Sequence, residues 1–291
     1  MELNELVARL TALQKRIIAY HHAAGLISYD GQTTAPRGTG ANRAETLGVL
    51  SEESYKLLTG EETVKLLDAL YARNDELDEV TKRVVEVMRR DIVEMQKIPA
   101  DEYIEFQKLY SISQDVWHEA KEKSDFAMFE PYLKRVVDSM KKIAGYVAPE
   151  KNAYDYWLDN FERGLTREKC DRFFDTLKAG LVPLIEKVKN APQPDDSFLR
   201  GEFPIEKQRI LSDKLMEILQ IDRDHCGIGE TEHPFTTNFT KYDVRITTNY
   251  DLHDFSSSMY SVIHEGGHAL YELHIADKLA YTMIGSGVSM G

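Results

Sequence analysis

The segment with the clearest chemistry is His264-Glu265-Gly266-Gly267-His268, which lies in a stretch of helical periodicity. Helix positions four apart are separated by about 6 Å along the axis and about 40° around it, so the two imidazoles can bind one tetrahedral ion. Glu265 lies about 100° from His264, which makes it a candidate general base and not a ligand. Zinc lowers the pKa of a water molecule bound to it to about 7, and a nearby carboxylate can take the proton as the water attacks a carbonyl. The motif therefore indicates a metal-dependent hydrolase.

The residues around this motif favour a buried active-site helix. Gly266 and Gly267 each cost a helix about 1 kcal/mol relative to alanine, which we expect a close approach by substrate or by a neighbouring element to offset. The alternative is a surface helix on which two histidines and a carboxylate fall at this spacing by chance. Apolar residues flank the motif at Val262, Ile263, Ala269, Leu270 and Leu273, as a buried helix requires.

A strong third metal ligand is not evident in the sequence, although zinc sites use at least three protein ligands. Glu272 would lie about 6 Å beyond the ion along the helix axis, so we interpret it as solvated or as a group that supports the ligands from outside. His274 faces away from the pair. His253 and Asp254 precede the helix and would reach the ion only through a bend in the chain.

Helical periodicity dominates residues 1–222 and predicts a mainly α fold, with a small antiparallel β element, in a single domain over 1–291. We expect Gly31 and Pro36 to end the first helix, and Pro131 to lie in the first turn of a later one. The β hairpin region is expected at 233–250, where FTTNFTKYDVRITTNY predicts two short antiparallel strands. The active-site helix is expected at 254–276, and the residues from Asp222 to Cys226 are expected to form a loop.

Composition excludes several classes of function. The chain has 36 Lys and Arg against 49 Asp and Glu, which gives a net charge of −13. This acidic balance argues against nucleic acid or an anionic membrane surface as the main partner, because both attract basic proteins. No apolar run approaches the roughly 18 residues that a membrane-spanning helix needs. With only two cysteines in 291 residues, we expect a soluble cytoplasmic protein.

Three ordered motifs resemble those of the carboxypeptidase Taq family of metallocarboxypeptidases. His233-Pro234-Phe235 resembles the family's HPF motif, Asp243-Val244-Arg245-Ile246-Thr247 resembles its D-x-R-x-T motif, and residues 264–268 resemble its metal motif. Further similarities lie at Tyr20-His21-His22-Ala23, at Tyr29-Asp30-Gly31 and in GSGVSMG at 285–291. The similarity covers essentially the whole chain but only the N-terminal part of the family.

This resemblance implies a helical peptidase with a deep substrate groove that removes single residues from the C-termini of peptides, typically as a homodimer. It implies His264 and His268 as metal ligands and Glu265 as general base. It also implies that the segments 233–235 and 243–247 border the groove. Zinc is the expected metal, although ligand type alone leaves cobalt and manganese open.

The end of the sequence departs from the family pattern. The family's third ligand is a glutamate that would align three positions past Gly291, and the pocket for the substrate's terminal carboxylate would lie later still. We therefore expect a truncated domain whose 291 residues alone bind zinc weakly and show little or no peptidase activity. Apolar surface where further helices would pack should make the chain oligomeric or marginally stable.

Two candidate substrate-binding residues have structural alternatives. Arg245 could bind a substrate carboxylate through both of its terminal nitrogens, or form an ion pair with Asp243. His233 precedes a proline and is therefore biased to an extended conformation. It could hydrogen-bond a tetrahedral intermediate or close a loop. His21 and His22 are interpreted as packing or surface groups.

Other functions remain open at the level of sequence. The chain could be a catalytically silent fragment or pseudoenzyme, or one half of a split peptidase. An endopeptidase of the related oligopeptidase type would share the metal motif but should lack the HPF and D-x-R-x-T motifs. A helical interaction module would require the metal motif to be accidental.

Overall fold

The structure is a computed structural model that describes residues 2–285. Its helices are α1 (Leu3–Thr33), α2 (Gly40–Thr59), α3 (Glu61–Tyr71), α4 (Glu79–Gln96), α5 (Ala100–Glu122), α6 (Phe126–Val147), α7 (Ala153–Phe161), α8 (Arg167–Lys189), α9 (Ile205–Ile218) and α10 (Phe255–Leu273). Its strands are β1 (Cys226–Glu230), β2 (Thr236–Thr240) and β3 (Asp243–Thr248). Most of the glycine-rich segment at 285–291 lies outside the described residues.

The prediction of a mainly helical fold is confirmed. The helix that carries the metal motif is α10, close to the span expected for it, and the two strands expected to form a hairpin are β2 and β3. Between residues 2 and 285, every helix is too short or too polar to cross a membrane.

Two helix boundaries differ from the prediction. The helix α6 begins at Phe126, because the Asp125 side chain accepts a hydrogen bond from the Met128 backbone N–H at 3.3 Å and caps the helix there. Pro131 therefore lies beyond the first turn. The helix α1 continues through Gly31, which has a different function: a Cβ there would lie 2.6 Å from Arg43 Nε, so this glycine lets α2 approach closely.

The sheet contains a strand that the sequence did not predict. The strand order is β1-β3-β2, with β2 antiparallel and β1 parallel to the central strand β3. The residues of β1 read CGIGE, so they lack the alternating β-branched and aromatic residues that indicate a strand. Gly229 is required because a Cβ there would lie 2.5 Å from the hydroxyl oxygen of Tyr29 on α1. The small β element is thus a mixed sheet, and the predicted hairpin forms two of its three strands.

Three apolar clusters hold the described residues together. The first contains residues of α1, α2, α3 and α4, and the second contains residues of α5, α6 and α7. The third positions the metal motif, because α9 and α10 pack there against one face of the sheet. Fully buried side chains from each of these elements fill it, namely Met216, Val244, Ile246, Val262 and Ala269.

The segment after α10 returns to the first cluster. Met283 and Ile284 pack against that cluster, and the Met283 backbone N–H donates a hydrogen bond of 2.9 Å to the side-chain oxygen of Gln14. Gln14 lies on the buried face of α1 and is only 5% exposed. The bond therefore satisfies a polar group that would otherwise be costly to bury.

The two glycines of the metal motif should respond differently to alanine. A Cβ at Gly266 would lie 2.7 Å from Leu219 Cδ1 and 3.1 Å from Ile221 Cδ1, whereas Gly267 has no such neighbour within 4 Å in the part of the chain that the structure describes. We expect Gly267→Ala to raise the free energy of unfolding by up to about 1 kcal/mol through helix propensity. Gly266→Ala should not give this gain, because the added methyl group would crowd Leu219 and Ile221. Chemical denaturation of both variants measures the difference, and an equal gain at both positions would contradict it.

Candidate metal centre and substrate edge

The helix that carries the metal motif begins at a side-chain cap. Asp254 Oδ1 accepts a hydrogen bond of 3.2 Å from the Ser257 backbone N–H, and hydrogen bonds from Ser256 and Ser257 lower the pKa of Asp254. An ionised carboxylate is also favoured at this end of a helix by the helix dipole. Asp254 is therefore a helix cap in this structure.

His264 and His268 lie side by side on the exposed flank of α10. Their Nε2 atoms are 3.3 Å apart, and their rings are nearly perpendicular. Tetrahedral zinc with Zn–N bonds near 2.0–2.1 Å also places two ligand nitrogens about 3.3 Å apart. The two imidazoles therefore fit as two ligands of one zinc ion.

A complete metal site is not formed by the described part of the chain. No group of three or more His, Cys, Asp or Glu residues suitable for a metal ion occurs among residues 2–285. Glu272 is not solvated, because it is 8% exposed and accepts a hydrogen bond of 2.8 Å from the Asn238 side-chain amide. His274 lies at the end of α10, with its Nδ1 2.7 Å from the Leu270 carbonyl oxygen. The arrangement offers two ligands.

Glu265 projects from α10 towards β2, whereas the two histidines are exposed. It is 7% exposed, and the Thr236 hydroxyl lies 2.6 Å from its Oε2 atom. The same hydroxyl lies 3.0 Å from the Glu265 main-chain oxygen. Thr236 thus holds the carboxylate in one orientation beside the histidine pair.

Among residues 2–285, the outer edge of β2 carries backbone groups without a hydrogen-bond partner, next to this carboxylate. The Thr247 N–H donates to the Phe235 carbonyl at 2.9 Å, and Thr236 pairs with Ile246 in the antiparallel register. Backbone groups alternate in direction along an antiparallel strand, so those of Thr236 and Asn238 point away from β3. An extended peptide can pair with an edge of this kind.

Arg245 lies on the opposite face of the sheet from α10. Its Nε donates to Asp243 Oδ1 at 2.6 Å and its guanidinium also contacts Oδ2 at 3.1 Å, so the ion pair considered from the sequence forms. The guanidinium lies 5.6 Å from the Tyr29 ring centre and 5.7 Å from that of Phe239. The structure therefore places Arg245 with α1 and does not bring it to the histidine pair.

His233 is exposed in the loop before β2. Its main-chain oxygen accepts a hydrogen bond of 2.9 Å from the Thr231 hydroxyl, which also lies 2.9 Å from the Thr247 hydroxyl. The Phe235 N–H donates to Thr247 Oγ1 at 2.8 Å. This set of hydroxyl contacts closes the loop through the main chain of His233, and the role of the His233 side chain stays a prediction.

The N-terminal motif residues pack against the sheet. His22 stacks on Phe239 with ring centres 5.2 Å apart, and Tyr29 contacts Phe235 and Phe239 edge-on. His22 is therefore a packing group. His21 is exposed at the surface, and partial desolvation lowers its pKa.

Thr236 and Asn238 were not identified from the sequence, although each binds a buried glutamate of α10. They are alternate residues of one strand and so lie on the same face. The available signal was the alternation of side chains between the two faces of the strand TTNFT, but this alternation does not show which face packs against α10.

A separate cleft of about 880 Å³ lies between α1, α9 and β1. Two arginines line it, but Arg209 is bound by Glu206 and Glu230, and Arg245 is bound by Asp243. The metal motif does not line this cleft, so its size does not make it the reaction site.

Comparison with known proteins places the whole chain in one family. The family model for the carboxypeptidase Taq (M32) metallopeptidase matches residues 9–291. Carboxypeptidase 1 of Bacillus subtilis is 39% identical over 292 residues, which cover 100% of this chain and 58% of the relative. Thermostable carboxypeptidase 1 of Pyrococcus furiosus is 32% identical and is matched over 99% of this chain and 58% of its own length.

Solved structures agree with the sequence comparisons. The BsuCP crystal structure matches 98% of this chain with a TM-score of 0.95 and 39% identity, and 58% of its own chain is covered. The carboxypeptidase structure from Deinococcus radiodurans R1 matches 97% with a TM-score of 0.85 and 31% identity, with 57% of its chain covered. The sequence thus spans little more than half of these relatives. The chain belongs to the carboxypeptidase Taq family of metallopeptidases.

Proposed function

We propose that this chain contributes the metal-binding helix and one wall of the substrate groove to a carboxypeptidase that removes C-terminal residues from peptides. The observation that carries the proposal is the 3.3 Å separation of the His264 and His268 Nε2 atoms, on a helix whose intervening Glu265 is buried beside a strand edge. Zinc is the proposed ion, and cobalt or manganese would accept the same ligands.

A divalent ion held by these two imidazoles would make a water molecule more acidic and polarise the scissile carbonyl. The proton from that water is assigned to Glu265. Thr236 donates to Oε2, which leaves Oε1 as the proton acceptor. Fixing the carboxylate in this way reduces the reorganisation needed when the proton moves.

The outer edge of β2 is the proposed binding surface for the peptide backbone. The outward backbone groups of Thr236 and Asn238 can form ladder hydrogen bonds with an extended substrate, which would bring its carbonyl towards Glu265. His233, in the loop before β2, is proposed to border the groove. The ion pair with Asp243 supports a role for Arg245 in shaping that wall from the far face of the sheet.

Zinc titration tests the assignment of the histidines. We expect the 291-residue chain to bind one Zn²⁺ much more weakly than the nanomolar range, because two imidazoles provide fewer ligands than a complete site. His264→Ala and His268→Ala should each abolish this binding in isothermal calorimetry.

His274→Ala is the matched control, because this histidine ends the same helix and lies against the Leu270 carbonyl. It should leave zinc affinity unchanged. Nanomolar zinc binding by the chain, or an equal loss of zinc affinity in all three variants, would contradict the assignment of His264 and His268 as the two ligands.

The remaining proposals concern partners and location. Peptides are the proposed substrates, and a homodimer or other oligomer is the proposed assembly. Cys170 and Cys226 are both free thiols. Their reduced state supports, as a proposal, a cytoplasmic location.

A further inference from the structure

The helix α8 carries an apolar stripe, which we define as Cys170, Phe173, Phe174, Leu177, Leu181, Leu184, Ile185 and Val188. At 100° per residue these positions fall within an arc of about 120°, and the charged residues of the helix fall outside it, except for Arg167, which lies at one edge. The stripe extends about 27 Å along the helix axis at 1.5 Å per residue. This is the pattern of a helix that packs along its length against another element.

That packing is missing among the described residues. No side chain of α8 is buried. Six members of the stripe are between 47% and 60% exposed, namely Phe173, Phe174, Leu181, Leu184, Ile185 and Val188. Single exposed apolar residues are normal on a protein surface, but a continuous patch of this kind marks an interaction site.

The N-terminal end of α8 is joined to α7. Thr166 caps the helix by accepting from the Lys169 N–H at 3.3 Å, and the Arg167 N–H donates to Asp155 Oδ1 on α7 at 2.7 Å. Most helices in proteins are stabilised by burying an apolar face and not by propensity alone. Since no side chain of α8 is buried among residues 2–285, this source of stability is missing from the described structure.

The longer relatives indicate what covers the stripe. Almost all of this chain, α8 included, superposes on a relative whose own chain is much longer. That relative has the same fold in the matched region, and the rest of its polypeptide lies outside that region. The metal motif is also incomplete, because the exposed histidine pair has no third ligand among residues 2–285.

We propose that the apolar stripe of α8 is the docking surface for the segment of the family fold that the relatives carry outside the region matched here. The contact is helix against helix, with side chains of the docking segment filling the spaces between those of the stripe. It does not depend on the role of the histidines, so it stands or falls separately from the proposed function.

Cysteine labelling tests the proposal in the chain alone and in the chain fused to the unmatched segment of B. subtilis carboxypeptidase 1. Leu184→Cys and Val182→Cys are compared in a Cys170→Ser background. Leu184 and Val182 are both 53% exposed, but they lie about 160° apart around α8. Cys226 is buried, and burial raises its pKa to about 11, so it does not compete for the label.

We expect both positions to react at similar rates with a maleimide in the chain alone. In the fused chain, the rate at 184 should fall by at least about tenfold, while the rate at 182 stays within about twofold, because reaction requires access to the thiolate. Equal rates at both positions in the fused chain would overturn the proposal. Protection of 184 in the chain alone, with a dimer in sedimentation, would also overturn it, because a second copy would then cover the stripe.

Discussion

Glu265→Gln is expected to lower kcat of the metal-loaded, peptidase-active protein by about 100- to 10,000-fold, the range that general acid–base catalysis contributes. Glutamine has nearly the same shape, and its amide oxygen can still accept the Thr236 hydroxyl that now lies 2.6 Å from Oε2. The fold and the metal ligands should therefore remain, and only the proton acceptor is lost. Steady-state kinetics on a short peptide and metal analysis of the same preparation measure the two effects.

Glu272→Gln provides a matched control. Glu272 lies on the same helix, is buried to the same extent and also accepts a hydrogen bond from β2. It should keep kcat within a few-fold of the parent, because no proton transfer is assigned to it. Retained turnover in Glu265→Gln, or equal loss in the two variants, would remove Glu265 from the role of base.

Ile246→Ala is expected to lower the free energy of unfolding by about 2–5 kcal/mol, the usual cost of removing this much of a buried side chain. Ile246 is fully buried on the central strand, in the cluster that joins the sheet to α10. Part of the cost is the lost transfer free energy, and part is the cavity left between β3 and the helix. Urea denaturation followed by circular dichroism measures it.

Ile210→Ala on α9 is the control for the same chemical change. Ile210 is 69% exposed, so its truncation should alter stability by no more than about 0.5 kcal/mol. Similar losses at both positions would mean that the third cluster is not the element that supports α10.

The helix α10 could be predicted from the sequence because its signals are local, whereas the catalytic and ligand roles of its residues stay predictions. The spacing of His264 and His268 and the apolar residues around them lie within one helix. The hairpin strands were also predictable, since their β-branched residues are close together in sequence. Family motifs added the wider fold, which the comparisons bear out.

What the sequence did not predict depends on contacts between distant segments. The strand β1 forms because Gly227 and Gly229 lie beside β3 and leave room for Arg245 and Tyr29, and that requirement has no local signal. The burial of Glu272 likewise depends on Asn238, 34 positions earlier in the chain. The formation of β1 and the burial of Glu272 both depend on the register of the sheet and on the side of α10 that packs against it.

The hydrogen bond from Met283 to Gln14 joins residues 269 positions apart. Contacts that close so large a loop form after local ones, because the chain must lose much of its freedom before they contribute. If the first cluster assembles before this contact forms, the Gln14 side-chain oxygen must bind water until residue 283 arrives. The segment after the metal helix is fixed to that cluster only once nearly every described residue has left the ribosome.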